Sequence, residues 1–332
     1  MSSTTLDTSA LEKLLAAAVA APSMHNTQPW RFRLDAGSST VEIRAVPERS
    51  LPQEDPYGRA VHIAAGAALL NLRVAAGRLG WTPVSRLLPD PRDPTLLVAV
   101  RLQGRGGPRD AREADLYDAI PRRHSSRMPF TERAVPLAVL AELADASHAE
   151  GARLTVAGED ETARLLRLSG LAEHRNHTDP DRAAESRRWT GGEGGRDTGI
   201  PARAFGPRDA GEHVPVRDFC ALRQPDRLPS LPFERHPMLV ALSTTHDHRA
   251  DWLRAGQALE RVLLLATVHG LRTSLLHQAL EWPDLRSLLR APDAPYGHVQ
   301  MIVRLGYGPE GPATPRRTPH LFLATADDDG LP

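Results

Sequence analysis

Two short segments hold the residues best suited to chemistry. Pro22-Ser23-Met24-His25-Asn26-Thr27-Gln28-Pro29-Trp30 places two prolines, an amide pair, small polar groups and a Trp within nine residues. Such a set supplies donors and acceptors suited to the edge of a planar heterocycle. About a hundred residues later, Arg122-Arg123-His124-Ser125-Ser126-Arg127 packs three guanidinium groups and two hydroxyls into six residues. Planar guanidinium forks with hydroxyls beside them suit a phosphate dianion. Neither segment is a complete site alone.

The elements that must position these segments are legible. Asp7 caps a helix with Leu11, Leu14, Leu15, Ala18 and Val19 on one face, and Pro22 stops it. Strands follow at Trp30–Leu34 and Val41–Val46, then a long helix from about Arg59 to Arg78 with Gly80 as its left-handed terminator. Thr82–Leu88 and Leu96–Leu102 read as further strands, the second buried, and 103–110 as a Gly/Arg/Pro-rich linker.

The second part of the chain repeats this plan. Ala65-Gly66-Ala67-Ala68-Leu69 matches Ala255-Gly256-Gln257-Ala258-Leu259, Ala76 matches Ala266 and Gly80 matches Gly270, all at one offset. The Leu11–Ala21 helix lines up with Leu137–Ser147 at an offset smaller by roughly sixty residues, so the second copy carries an insertion of that size. It is expected at about 174–235, a stretch dense in Gly, Pro, Arg and Asp without sustained periodicity. Such a stretch is a lid or a disordered loop, and Trp189, Phe205 and Phe219 argue for partial packing.

Composition bounds the rest. The 332 residues carry 41 basic and 41 acidic side chains, so no broad field points to nucleic acid or to an anionic membrane. Lys13 is the only lysine, which leaves cationic contacts to arginine. Cys220 is the only cysteine, so no intrachain disulfide forms, and a cytoplasmic location is the expectation. The Leu11–Ala21 stretch is too short to span a bilayer and is expected to be a helix of the fold rather than a leader. His246 and His248, expected on opposite sides of a strand, and His174 with His177 do not complete a ligand set, so no metal is expected. Gly191–Gly195 neither follows a strand nor opens a helix, and so is not a phosphate cradle.

Both segments resemble the FMN-dependent nitroreductase family, in which a basic Arg-Arg-x-Ser-x-Arg/Lys run precedes a helix ending in Pro-Ser-x-x-Asn-x-Gln-Pro-Trp. In that homodimeric family, one subunit's basic segment holds the FMN phosphate and the partner's Pro-Ser segment contacts the ring. Here the order is reversed and each segment occurs once. A fused pair in which each half lost one component gives that arrangement, with Ala146–Gly151 standing where the second Pro-Ser segment would be. The fusion, the insertion and the spelling of the basic segment look most like the Acg-type branch.

The resemblance implies an α+β fold, with a nitroreductase-like mixed sheet flanked by helices. Two repeated halves, 1–108 and 109–332, form an internal pseudo-dimer with one FMN between them. It implies cofactor contacts from Pro22, Ser23, Met24 and Asn26 and from Arg122, Arg123, Ser125 and Arg127. Arg123 and Ser125 would meet phosphate or ribityl oxygens, and Arg127 the pyrimidine edge. Leu276, His277 and Gln278 would present backbone to the ring, and Arg316 with Arg317 would close over the phosphate. The implied activity is hydride transfer from NAD(P)H through FMN to a small-molecule acceptor of nitroarene or quinone type, with no side chain legible as catalytic. The alternative is a protein that stores or sequesters FMN beneath a lid without turnover.

Overall fold

The computed structural model describes residues 6–35, 37–105, 111–190, 197–219, 228–290 and 297–319. Helix α1 (Thr8–Val19) begins where the Asp7 carboxylate accepts the Ala10 N–H at 2.7 Å, and it buries Leu14, Leu15, Ala18 and Val19. After the Pro22–Trp30 segment come strands β1 (Trp30–Asp35) and β2 (Thr40–Ala45), which pair antiparallel and turn Trp30, Phe32, Val41 and Ile43 inward. Helix α2 (Arg59–Arg78) follows. It ends just before Gly80, whose φ of 85° is open to glycine at no steric cost. Strands β3 (Trp81–Leu87) and β4 (Leu96–Arg105) complete a sheet of order β1-β2-β4-β3.

Helix α3 (Ala111–Ala119) leads into the basic segment and then α4 (Leu137–Ala149) and β5 (Arg153–Val156). Helices α5 (Glu159–Thr178) and α6 (Pro180–Arg188) and the short parallel pair β6 (Arg208–Asp209) and β7 (Ser230–Leu231) precede β8 (Met238–Thr244). Helix α7 (Arg249–Val268), strand β9 (Arg272–Leu276), helix α8 (Pro283–Ser287) and strand β10 (His298–Gly306) follow. The second sheet has the order β5-β8-β10-β9, the same order as the first when strands are counted along each half. In both, the long helix stands between the second and third strands of the count.

The α+β expectation holds, with both four-stranded sheets antiparallel throughout. Parallel pairing among the described residues is confined to β6–β7 and to single bridges such as Ser125–Thr273. Helices α2 and α7 cross with their backbones touching at Gly66 and Gly256. By length and composition α2 could cross a membrane, but most of it is buried against α1, α7 and the first sheet. A helix apolar on nearly all sides is what this central position demands.

The extra chain between β5 and β8 has no counterpart in the first half, where β1 turns directly into β2. It begins earlier than expected, with α5 at Glu159, and part of it is helical. The reason lies in α5, whose Leu165, Leu168 and Ala172 are spaced to bury one helical face. Phe205 and Phe219 pack with Ile200 and Ala204 in a small apolar cluster of their own. Cys220 and the Gly191–Gly195 run lie outside the described residues. His246 and His248 do not flank a strand: they follow β8, with rings stacked 5.8 Å apart.

Candidate functional site

A cavity of about 640 Å³ is lined by residues between positions 22 and 67 and between 123 and 316. One wall is a stripe of α2, Ala60, Ile63, Ala64 and Ala67, which recur at helical spacing on one face. Leu259 of α7, Leu275 of β9, and Val299 and Met301 of β10 form apolar surface from the other half. Alanine at three of the four stripe positions keeps that wall free of bulky side chains.

One end of the cavity is cationic. Arg123, His124 and Ser125 meet Ser23, Thr314 and Arg316 there. Arg123 and Arg316 both donate to the Ala20 carbonyl, at 3.0 and 3.3 Å, so the exposed carbonyl end of α1 gathers two guanidinium groups. Glu260 of α7 lies 3.2 Å behind the Arg123 Nε. Burial, together with Arg123, pulls Arg316 down to about 9. Its Nε is buried and has no hydrogen-bond partner among the described residues. Burial also lowers His124, and the two arginines add to that shift. Like charges held together in this way call for an anion.

The Pro22–Trp30 segment is strained into shape. His25, Asn26 and Gln28 have φ of 49°, 54° and 51°, a left-handed region that non-glycine residues rarely enter. Ser23 Oγ accepts the Gln28 N–H at 2.9 Å, closing the turn. The Asn26 amide is spent on protein partners: it donates to Gly199 O and Pro315 O and accepts from Arg316. Asn26 therefore ties the insertion and the C-terminal segment to the first half, and acts on the cavity by positioning Arg316.

A chain of buried charges lines the side of the cavity. His25 Nε2 hydrogen-bonds Glu54, Arg217 from the insertion bridges Glu54 (3.0 Å) and Glu281, and His277 Nδ1 meets Glu281 at 2.6 Å. Burial pushes the Glu54 carboxyl up, but Arg217 and His25 outweigh it and hold it at about 2. Glu281 is likewise lowered against its burial, chiefly by Arg217. Burial lowers His277. Phe219 of the insertion packs edge-on against His25 at 5.7 Å. At the far end, Asp247 accepts two hydrogen bonds from Arg286 and one each from Trp252 and Gln300, while Arg59 donates to the Gln300 carbonyl.

The sequence-predicted residues divide clearly. Pro22, Ser23, Met24, Asn26, Arg123, Ser125, Arg127, His277 and Arg316 line the cavity. Arg127 donates to Ala204 O at 2.7 Å and lies 5.0 Å over the Phe219 ring, so the insertion holds it. Four residues fall outside the lining. Arg122 is exposed and donates to the Thr267 carbonyl, because the tight turn Ile120–Arg122 sends it and Arg123 to opposite sides. Leu276 is on the inward face of β9, and Gln278 is buried with its amide on the Pro215 carbonyl. Arg317 turns to Asp197 of the insertion while its N–H meets Gln28. His25, Glu54, Arg59, His124, Phe219 and His298 line the cavity without having been singled out. Two of these three histidines, His25 and His124, sit inside the two motifs, which is the available signal; His298 has none.

Residues 120–307 match the model of the Nitroreductase family. A Mycobacterium tuberculosis protein provisionally named NAD(P)H nitroreductase Rv3131 is 33% identical over 320 residues, covering 94% of this chain and 90% of that protein. A second from the same organism, provisionally named NAD(P)H nitroreductase acg, is 33% identical over 330 residues, 96% of each chain. Among solved structures, a provisionally described nitroreductase from Anabaena variabilis covers 91% of this chain and 88% of its own, at 11% identity and a TM-score of 0.49. A Bacteroides fragilis nitroreductase with bound FMN covers 61% and 93%, at 18% identity and a TM-score of 0.36.

Proposed function

The chain belongs to the nitroreductase family, and from that premise we propose that it binds one FMN in the cavity between its halves and passes hydride from NAD(P)H to a nitroarene- or quinone-type acceptor. The observation that carries this reading is the pairing of Arg123 and Arg316 at one end of the cavity, with the buried Arg316 Nε lacking a partner among the described residues. That donor set fits a phosphate dianion, and the alanine-lined wall suits a flat ring behind it.

FMN, when bound, supplies reversible uptake and release of hydride. The chain's own residues do the rest. Arg123, Arg316 and Ser125 hold the phosphate. The α2 alanines, Leu259 and Val299 pack the ring and exclude water. Arg127, fixed by Ala204, keeps a positive charge in the wall and favours negative charge on whatever lies beside it. In this reading the halves 1–108 and 109–332 stand in for two subunits, which is why each contributes one segment. A cytoplasmic location goes with it.

Absorbance tests it directly. Protein purified yellow, or turning yellow with FMN, shows bands near roughly 370 and 450 nm. A colourless protein that FMN does not change overturns the reading. Rapid anaerobic bleaching by NADH or NADPH supports turnover.

The insertion supports a second reading, storage of FMN beneath a lid. Ile200 and Phe219 form part of the cavity wall, Gly199 exchanges two hydrogen bonds with Asn26, and Arg217 is pinned between Glu54 and Glu281. A flavin that dithionite bleaches and nicotinamides do not favours this reading over turnover.

A further inference from the structure

Glu260 stands directly behind the cationic end of the cavity, and the chemistry above does not use it. Its side chain is fully buried, and neither carboxylate oxygen reaches a hydrogen-bond partner among the described residues; Asn71 of α2 faces it at the edge of hydrogen-bond geometry. The Arg123 Nε at 3.2 Å is its ion-pair partner. The repeat makes its presence informative. The offset that pairs Gly66 with Gly256 and Leu69 with Leu259 places Leu70 opposite Glu260. Leu70 is fully buried in the first half's core, so an apolar side chain satisfies helix packing at this position. A carboxylate there is costly to desolvate and must answer to its charged neighbour.

Charge balance says how. With the cradle empty, Glu260 is the carboxylate that opposes Arg123 and Arg316 among the described residues. A phosphate dianion neutralises the two arginines completely, and an ionised Glu260 then becomes a surplus buried negative charge. We propose, on the FMN reading, that Glu260 is a proton-accepting positioning residue: it balances Arg123 in the empty cradle and takes up one proton when the FMN phosphate binds.

Burial already holds the Glu260 carboxyl up at about 7, with Arg123 only partly opposing it. The phosphate adds negative charge beside it and raises it further. The other groups facing this corner are Arg123, Arg316 and His124. His124 is lowered by burial and by both arginines, and Glu310, itself paired with Arg272, pulls it the other way. A bound phosphate acts on His124 as well, and the comparison of wild type with Glu260→Gln separates its share from that of Glu260. The second ionisation of a phosphate monoester, near roughly 6, lies below the window of interest.

The test is FMN binding to apoprotein, followed by flavin fluorescence between about pH 7 and 9. Above neutrality the free protein has lost the Glu260 proton and binding must restore it, so Kd should rise by up to about tenfold per pH unit. Glu260→Gln should flatten that dependence and bind more tightly than wild type at the alkaline end. Riboflavin, which lacks the phosphate, should show no such slope. Calorimetry of the wild type in two buffers of different ionisation enthalpy should register uptake approaching one proton, and decides the matter if Glu260→Gln does not fold. A flat wild-type Kd without proton uptake, or an unchanged slope in Glu260→Gln, overturns the proposal while leaving FMN binding in place. Wild type that binds no FMN overturns the flavin reading as well.

Discussion

Gly66 and Gly256 are in backbone contact where α2 crosses α7: a Cβ on Gly66 would lie 2.1 Å from the Leu253 carbonyl oxygen, and one on Gly256 2.0 Å from that of Ile63. In an exposed helix, Gly→Ala is stabilising by about 1 kcal/mol. Here the sign should reverse. The clashing atoms are backbone in both directions, so the helices must separate, and Gly66→Ala or Gly256→Ala should each destabilise by about 1–3 kcal/mol or more. Urea unfolding midpoints check this; a stabilised variant would mean that the helices do not meet at these glycines. Because the cavity wall Ala60–Ala67 is on the same helix, FMN retention should weaken along with stability.

His62 and Arg249 tie the starts of the same two helices. Arg249 Nε donates to His62 Nε2 at 2.8 Å and His62 Nδ1 meets the Gly58 carbonyl at 2.6 Å, which fixes the neutral ring with its proton on Nδ1. Burial lowers its pKa to about 4, and Arg249 reinforces the shift. Between about pH 6.5 and 4 the unfolded chain binds this proton and the folded chain does not. Stability should therefore be intact above 6.5 and decline as pH falls through this window. Thermal midpoints measured from pH 7 to 4 should show the fall, and His62→Gln should shallow it. An unchanged slope in that variant would assign the acid sensitivity elsewhere.

Much of this was readable from the sequence, for identifiable reasons. Helix α2 is bounded by its apolar run and Gly80, β1 and β2 by the turn between them, and β4 by a continuous apolar run, because these signals are local. The repeat located α7 and the crossing glycines. Arg122 and Arg123 could not be told apart, because adjacent residues in a tight turn differ only in which way the backbone sends them. Gln278 is expected in the site from its position and Arg317 from its resemblance to a terminal basic pair, and long-range contacts to Pro215 and Asp197 decide otherwise. Glu54 and Arg217 are not legible, since their pairing spans about half of the chain and depends on how the insertion folds back.

That pairing predicts a stability defect with a local signature. Arg217 is 7% exposed and bridges Glu54 and Glu281, carboxylates from different halves. Removing it leaves two buried negative charges, with Arg182 on Glu281 and the histidines as their remaining partners. Arg217→Ala should cost about 3–5 kcal/mol, as breaking a buried pair from one side does. Limited proteolysis should then cut between β5 and β8 sooner than in wild type. If that segment acts as a lid, the same variant should also speed reduction of bound FMN by nicotinamides. Wild-type proteolysis and stability would deny Arg217 the role of clasp.

The phosphate cradle is best tested by three arginines together. Arg316 lines the cavity, is held by Asn26 and Thr314, and has no partner for its Nε among the described residues. Arg316→Ala should raise the FMN Kd by about tenfold to a hundredfold, since a hydrogen bond to a charged group contributes about 1.5–3 kcal/mol. Arg123→Ala should weaken FMN by a similar factor, and it should also destabilise the fold, because it strips Glu260 of its partner and the Ala20 carbonyl of a donor. Arg122→Ala should leave FMN affinity within error of wild type, its guanidinium being outside, on the Thr267 carbonyl. Titration of each apoprotein with FMN, beside its unfolding curve, separates the three. Equal losses for Arg122 and Arg123 would mean that the turn at Ile120–Arg122 presents both to the phosphate, and the assignment of the cradle to Arg123 and Arg316 would fail.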